Sequence, residues 1–437
     1  MLWLRQNLGN SRMGSGKFRL GAFLLPSAGA SPEQYEEGFA GQNPNYYQAG
    51  LRDTSRVLRQ IEDLGFDFAA FSEHHFHVEG LELSNNPVML GSWAAMQTRR
   101  LRIGQMGNVL PARNPLLLAE DLAMLDHFSE GRMIAGFARG YQSRHVATVG
   151  QKLNAYSTQP TDPEFVEHDR QNRELFNEHY EIIRRAWSEP LFRHEGKHWQ
   201  IPPDGIVWDH PATQTMAPGM VDANGNLRQI GIAPLTLQKP ETVETFTPFT
   251  TSPATIEWAA RENVTPVIFT PIVENAKACI DLYYKAAQEA GRDIAWGESV
   301  GHFREVVVAD TDAEAFAIME RGLGFIWTRW HDWFGLNEAL RRPGEQGVIR
   351  NHPSTIRERG YSICGTVDNV VRQLEKVLDD FKTDTLVLWI AAGPAPIDGL
   401  LKSNELLVEK VLPKLGIELH QVAPQLRDEY NGRGWRD

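Results

Sequence analysis

The chain has 437 residues, 42% of them hydrophobic, which allows a large buried core and argues against disorder. Its formal net charge of -12 argues against nucleic-acid and anionic-membrane partners, both of which need a positive field. Only two cysteines occur, Cys279 and Cys364, with neither a metal spacing nor a CxxC, so no disulfide framework or zinc site is expected and a reducing, cytoplasmic location fits. No apolar run is long enough to span a bilayer, and residues 1–16 read as a flexible N-terminal extension.

Short apolar runs then alternate with amphipathic stretches, the pattern of parallel βαβ units. The first strand is predicted over 18–25 and the first helix over 54–64, where Val57, Leu58, Ile61 and Leu64 keep helical spacing and Gly65 stops it. A strand over 68–72 and a helix within 87–97 follow. The third strand covers 101–110, and Asn114 before Pro115 reads as a cap with proline at the first helical position, opening a helix to about 125. The fourth strand is 133–138. A long helix over 165–187 precedes a hairpin at 193–201 and a stretch rich in Pro, Gly and Asn to 240. The fifth strand is 243–249, with Ser252-Pro253 repeating the cap signal before a helix to 262. Strand six (266–270), a helix near 275–290, strand seven (304–308) and a helix from 312 come next. A second irregular insertion spans 330–362, then strand eight (385–390) and a last helix over 397–415.

Eight strands in strict alternation with helices predict a (β/α)₈ TIM barrel with insertions. The expected organisation is one barrel domain over 17–415, with insertions near 190–240 and 330–362, and a loosely held C-terminal tail over 416–437. An open doubly wound sheet lacks support, because no GxGxxG follows the first strand.

Active sites of such barrels lie where the strands end. After the second strand stand Glu73, His74 and His75, suited to proton transfer. Adjacent residues of an extended segment point to opposite faces, so at most one histidine faces the mouth. No third ligand has a matching spacing, so a metal is not expected. After the fourth strand, Arg139 can grip a phosphate with two hydrogen bonds, beside Gly140 and Tyr141. The plainer role for the arginine is a salt bridge to a neighbouring carboxylate. After the fifth strand, Thr251 and Ser252 open a helix that carries Thr255 in its first turn, an anion site of free N–H groups and hydroxyls. Its plainer role is N-capping by Ser252. Neighbouring strand ends should bring Arg139 and Ser252 to one phosphate. Met106, Gly107 and Asn108 end the third strand, where glycine marks a bulge or a close ligand.

The segments KFRLGAFLLP (17–26), LGFDFAAFSEHHF (64–76), LRIGQMGNVLPARNPLLLAEDLAMLDHFSEGRMIAGFARGY (101–141) and SPATIEWAAREN (252–263) resemble the bacterial luciferase-like flavin-dependent monooxygenase family. The resemblance implies a luciferase-like barrel, usually dimeric, using FMN supplied in reduced form by a separate NAD(P)H:flavin reductase. Reduced FMN and O2 would give a flavin C4a-peroxide that oxidises a small organic substrate. The phosphate contacts fall on Arg139, Ser252 and Thr255, the histidine of the flavin-peroxide chemistry on His74, and a non-proline cis peptide beneath the flavin on Met106-Gly107. Thr251 replaces a glutamate of luciferase, which favours a phosphate dianion.

On this reading FMN lies across the mouth and His74 works as acid or base, or stabilises the peroxide anion, with Glu73 as the residue that would orient it. Trp199, Trp208, Trp327, Trp330 and Trp333 of the insertions either line an apolar pocket or pack the fold. Three other readings stay open: a deazaflavin-dependent dehydrogenase on the same barrel, a non-catalytic flavin-binding protein, and a metal-dependent hydrolase using His74 and His75.

Overall fold

The computed structural model describes residues 17–157, 162–390 and 394–436; the predicted extension over 1–16 lies outside them. The chain divides into two compact units. One comprises Met1–Asn108, Ile134–Phe137 and Glu244–Ala423, and the other Val109–Met133, Ala138–Val243 and Pro424–Asp437.

The first unit holds a closed barrel of eight parallel strands. They are β1 (Arg19–Leu24), β2 (Phe68–Phe71), β3 (Arg102–Gln105), β4 (Met133–Ala138), β5 (Thr245–Thr250), β6 (Thr265–Ile268), β7 (Gly301–Val308) and, after β8 (Ser362–Gly365), β9 (Thr385–Ile390). Pairing runs β1-β2-β3-β4-β5-β6-β7-β9 and returns to β1, with Arg19 opposite Thr385. Every predicted barrel strand is present. Two differences stand out: the third predicted strand breaks after Gln105 and resumes as a two-residue strand at Asn108–Val109, and β8 is a further strand where the sequence suggests only the end of an insertion. The cause of β8 is local: β6 stops opposite His302, and β8 pairs along the rest of β7, from Glu305 opposite Ser362 to Val308 opposite Gly365. An edge that would otherwise stand open is thereby paired.

The main helices are α1 (Pro44–Asp63), α2 (Pro87–Gln97), α3 (Pro115–Phe128), α4 (Phe165–Ser188), α5 (Pro253–Arg261), α6 (Val273–Glu289), α7 (Asp312–Met319), α8 (Val367–Phe381) and α9 (Ile397–Leu406). α1 begins ten residues before the predicted start, because Asn43 caps it and accepts from the N–H groups of Asn45 and Tyr46, with Pro44 at the first position.

Aromatic rings fill the barrel. Phe23 meets Phe249, Phe303 and Trp389 at centroid distances of 5.7, 5.5 and 5.1 Å. Phe249 takes a left-handed backbone (φ 52°), and the β5–β6 register shifts there, between Thr247 and Thr250. Where β1, β2, β3 and β5 begin, a buried ion network closes the base. Arg102 reaches Asp67 at 2.5 Å and Glu244 at 2.6 Å, and Arg19 reaches Glu244 at 2.7 Å. The stretch expected as a loose tail is held here: His420 N–H donates to Phe18 O at 2.9 Å and Val422 N–H to Asp67 Oδ1 at 2.8 Å.

The second unit contains α3 and α4. Asn114 caps α3 as predicted, accepting from the N–H groups of Leu116 and Leu117. The buried Trp187 of α4 donates to Ala119 O at 3.1 Å. The predicted hairpin is there, with His194 opposite Ile201. The far end of the chain is held here too, by Arg427 donating to Thr236 O at 2.6 Å. Among the described residues, no helix is long and apolar enough to cross a membrane.

Candidate active site

In the first unit the segment after β2 divides its histidines as alternation requires. His74 is buried, while His75 is partly exposed. Glu73 Oε1 lies 3.0 Å from His75 Nε2, and its charge also acts on His74. His74 has Ser72 Oγ 3.0 Å from Nδ1, with Ser84 Oγ 3.1 Å beyond it. On its other side Glu82 Oε1 stands 3.8 Å from Nε2. Burial pushes the imidazole down to about 4 against the opposing charge of Glu82, so His74 is neutral at neutral pH.

Glu82 is the residue that sequence reasoning missed. It is 1% exposed and lies at the centre of a polar cluster. His331 Nε2–H donates to its Oε1 at 3.0 Å and Trp330 Nε1–H to its Oε2 at 2.9 Å. His77 Nε2 lies 3.4 Å from Oε2. Burial works to raise the Glu82 carboxyl, but His74, the His331 hydrogen bond and His77 hold it well below the usual carboxylate range. It is a buried anion among imidazoles. No sequence signal joins Glu82 to His331, which is 249 residues away.

At the end of β3 the Met106-Gly107 peptide is cis. Glycine is required by backbone packing: a Cβ on Gly107 would lie 2.8 Å from Phe137 N, and one on Gly136 would lie 1.6 Å from Gln105 O. Asn108 Nδ2 donates to Gly136 O at 3.1 Å. Asn108 Oδ1 and both amide atoms of Gln105 are buried without a hydrogen-bond partner among the described residues. Met106 is buried.

At the start of α5, Ser252 is the N-cap residue by position, but its side chain makes no capping bond. The expected capping role is therefore absent. Only its carbonyl serves the helix, accepting from the N–H groups of Thr255 and Ile256 at 3.1 Å each. Thr251 is exposed and Thr255 half-buried.

In the second unit, Arg139 takes the plainer of its two roles, an ion pair with Asp169 of α4 at 2.5 Å. Arg173 shares that carboxylate at 3.3 Å. Burial and the neighbouring Arg173 lower the Arg139 pKa, and Asp169 opposes them. Gly140 is left-handed (φ 80°), and Tyr141 Oη accepts from Gln142 Nε2 at 2.9 Å.

The five tryptophans separate. In the first unit Trp327 and Trp330 join the ring cluster near Glu82, while Trp333 is 86% exposed. In the second, Trp199 Nε1–H donates to His179 Nε2 at 2.7 Å, and Trp208 is exposed.

Residues 18–381 match the luciferase-like monooxygenase family. The chain belongs to that family. Among its relatives, the alkanal monooxygenase alpha chain of Photorhabdus luminescens is 24% identical over 396 residues, covering 86% of this chain and 95% of that one. The oxygenase component of the flavin-dependent trigonelline monooxygenase of Acinetobacter baylyi is 24% identical over 378 residues, 84% of this chain and 90% of that one. The luciferase-like fold is shared with the oxygenating constituent of 3,6-diketocamphane monooxygenase from Pseudomonas putida, solved in complex with FMN (TM-score 0.64, 20% identity, 93% of this chain and 100% of that chain). It is shared equally with an F420-dependent secondary alcohol dehydrogenase (TM-score 0.60, 14% identity, 91% and 98% covered). Among these structural neighbours, one is solved with FMN and another with F420.

Proposed function

We propose that this chain is an FMN-dependent monooxygenase that takes reduced flavin from a separate reductase, and oxygen from solution, to oxidise a small organic substrate. The observation that carries the reading is the end of β3. Gln105 and Asn108 offer buried amide atoms without partners among the described residues, and a heteroaromatic ring edged with donors and acceptors satisfies such groups. The phosphate ligands are drawn from the start of α5, where the Ser252 hydroxyl is not spent on capping, and from Arg139, Gly140 and Tyr141 after β4, as the family resemblance assigns them. A trigonelline relative described as an oxygenase component supports the separate reductase.

Bound reduced FMN supplies the electrons that activate oxygen. The chain's own residues do the rest. His74, neutral and bonded to Ser72 at Nδ1, can accept or return a proton, and the Glu82 carboxylate 3.8 Å from Nε2 stabilises the imidazolium when it forms.

The test is oxygen consumption by purified protein supplied with photoreduced FMN, beside the same protein supplied with a reduced deazaflavin. Flavin-dependent oxygen uptake that falls by roughly 10²-fold or more in His74→Ala is expected for a general acid or base. The F420-dependent neighbour supports a second reading, hydride transfer. Oxidation of the deazaflavin by an added ketone, with hydride transferred to the carbonyl carbon and no oxygen uptake, would select that instead.

A further inference from the structure

The polar cluster around Glu82 continues into the aromatic packing of the first unit, and His331 belongs to both. Its Nε2–H is committed to Glu82 at 3.0 Å. A neutral imidazole holding its proton there has a lone pair at Nδ1, and Nδ1 is buried without a partner among the described residues. The His331 ring lies 5.1 Å from Trp389 and 6.1 Å from Trp327. Trp389 and Phe269 stand at the C-terminal ends of β9 and β6, the face of a barrel where chemistry is placed. Tyr361 completes the group, 5.0 Å from Trp327 and 5.1 Å from Phe269.

Two more members of this cluster carry unanswered polar atoms. Trp389 Nε1 and Tyr361 Oη are buried with no partner among the described residues. The cluster therefore offers one acceptor nitrogen, held in place by a carboxylate, and two donors, all among flat apolar rings. Each of these three atoms loses its water on burial and gains no partner among the described residues, a cost that a ligand with complementary groups would relieve. A carboxylate behind an imidazole whose far nitrogen is open is the arrangement that orients a base and stabilises its protonated form.

We propose that His331, oriented by Glu82, is the general base of an aromatic-walled subsite that receives a hydroxylated aromatic substrate. The phenolic proton passes to His331 Nδ1. The O–H electron pair stays on the oxygen, giving a phenolate that accepts from Trp389 Nε1–H and Tyr361 Oη–H. Glu82 balances the imidazolium, with His74 and His77 as the other titratable groups facing that carboxylate. The phenolate ring is the electron-rich form that an oxygen electrophile attacks. The inference rests on the monooxygenase reading, with His331 as a catalytic residue and Glu82 as a positioning residue.

The probe is 4-nitrophenol, whose anion is yellow, mixed with flavin-free protein at a pH where free 4-nitrophenol is mostly protonated. Wild-type protein is expected to draw out the anion band on titration. His331→Gln should abolish the band while FMN affinity stays within twofold. Glu82→Gln should retain binding but move ionisation of the bound phenol to higher pH, and Trp389→Phe, which removes a donor to the phenolate, should weaken binding of the anion several-fold and move ionisation the same way. If His331→Gln does not fold, His331→Asn takes its place. No anion band, or a band that the His331 variants leave intact, overturns the proposal. A retained band with no flavin-dependent oxygen uptake sinks the monooxygenase reading alone, and the reverse outcome sinks the subsite alone.

Discussion

In the second unit the proposed phosphate contact at Arg139 is tested through its ion pair with Asp169. The Asp169 carboxylate, held by the Arg139 guanidinium at 2.5 Å and shared with Arg173, is the anion with which a phosphate at the proposed site would compete. Removing its charge should leave two arginines facing an incoming anion. Asp169→Asn is accordingly expected to tighten FMN binding, measured by quenching of flavin fluorescence, and Arg139→Gln to weaken it by about ten- to a hundredfold, the loss of one charge-assisted hydrogen bond at roughly 1.5–3 kcal/mol. Unchanged affinity in both variants would remove Arg139 from the phosphate site. That His74, His75 and Arg139 stand just beyond strand ends was legible in the sequence, because the apolar runs before them are plain. Glu82, His331 and Asp169 were not legible. They matter through partners brought near only by the fold, and a lone Glu in GLELS or a lone His in RWHDW carries no local periodicity or spacing.

At the level of elements, the base of the barrel does the work of stability. Burial favours the neutral Glu244 carboxyl, but the charges of Arg19 and Arg102 override it and draw it down to about 2. A depressed carboxylate contributes stability above its unfolded value, near 4.3, and loses it as pH falls through the folded value. Glu244→Gln should therefore flatten the acid limb of stability between about pH 4.3 and 2, read by thermal melts across that range. Arg102→Met, which strands Asp67 and Glu244, should cost about 3–5 kcal/mol at neutral pH. An unshifted melting temperature in Arg102→Met would mean that the network is not coupled to folding. The barrel strands were readable because each is a short apolar run bounded by turn residues. β8 was not, since SICG is only four residues long and its place is decided by where β6 ends. α1 was read late because its opening turns, NPNYYQAG, are polar and hide the period, although Asn43-Pro44 repeats the signal that was read correctly at Asn114-Pro115.

For the whole molecule, the apolar surface gives the clearest expectation. α2 leaves Met89 and Met96 69% and 53% exposed, an apolar strip on a helix that carries no charged residue. Such a strip is covered in a stable assembly. Sedimentation at micromolar concentration should show a homodimer, and Met89→Glu combined with Met96→Glu should give a monomer. A monomeric wild-type protein would refute this. The closed strand order has a temporal side as well. The strand that leaves the ribosome first must wait for β9, made more than three hundred residues later, and Asp67 waits longer still for the amide of Val422. Until then the ring-lined interior stands open to solvent. Nascent chains of this protein are thus natural clients for chaperones, and a release that comes early yields a half-built cylinder prone to aggregate.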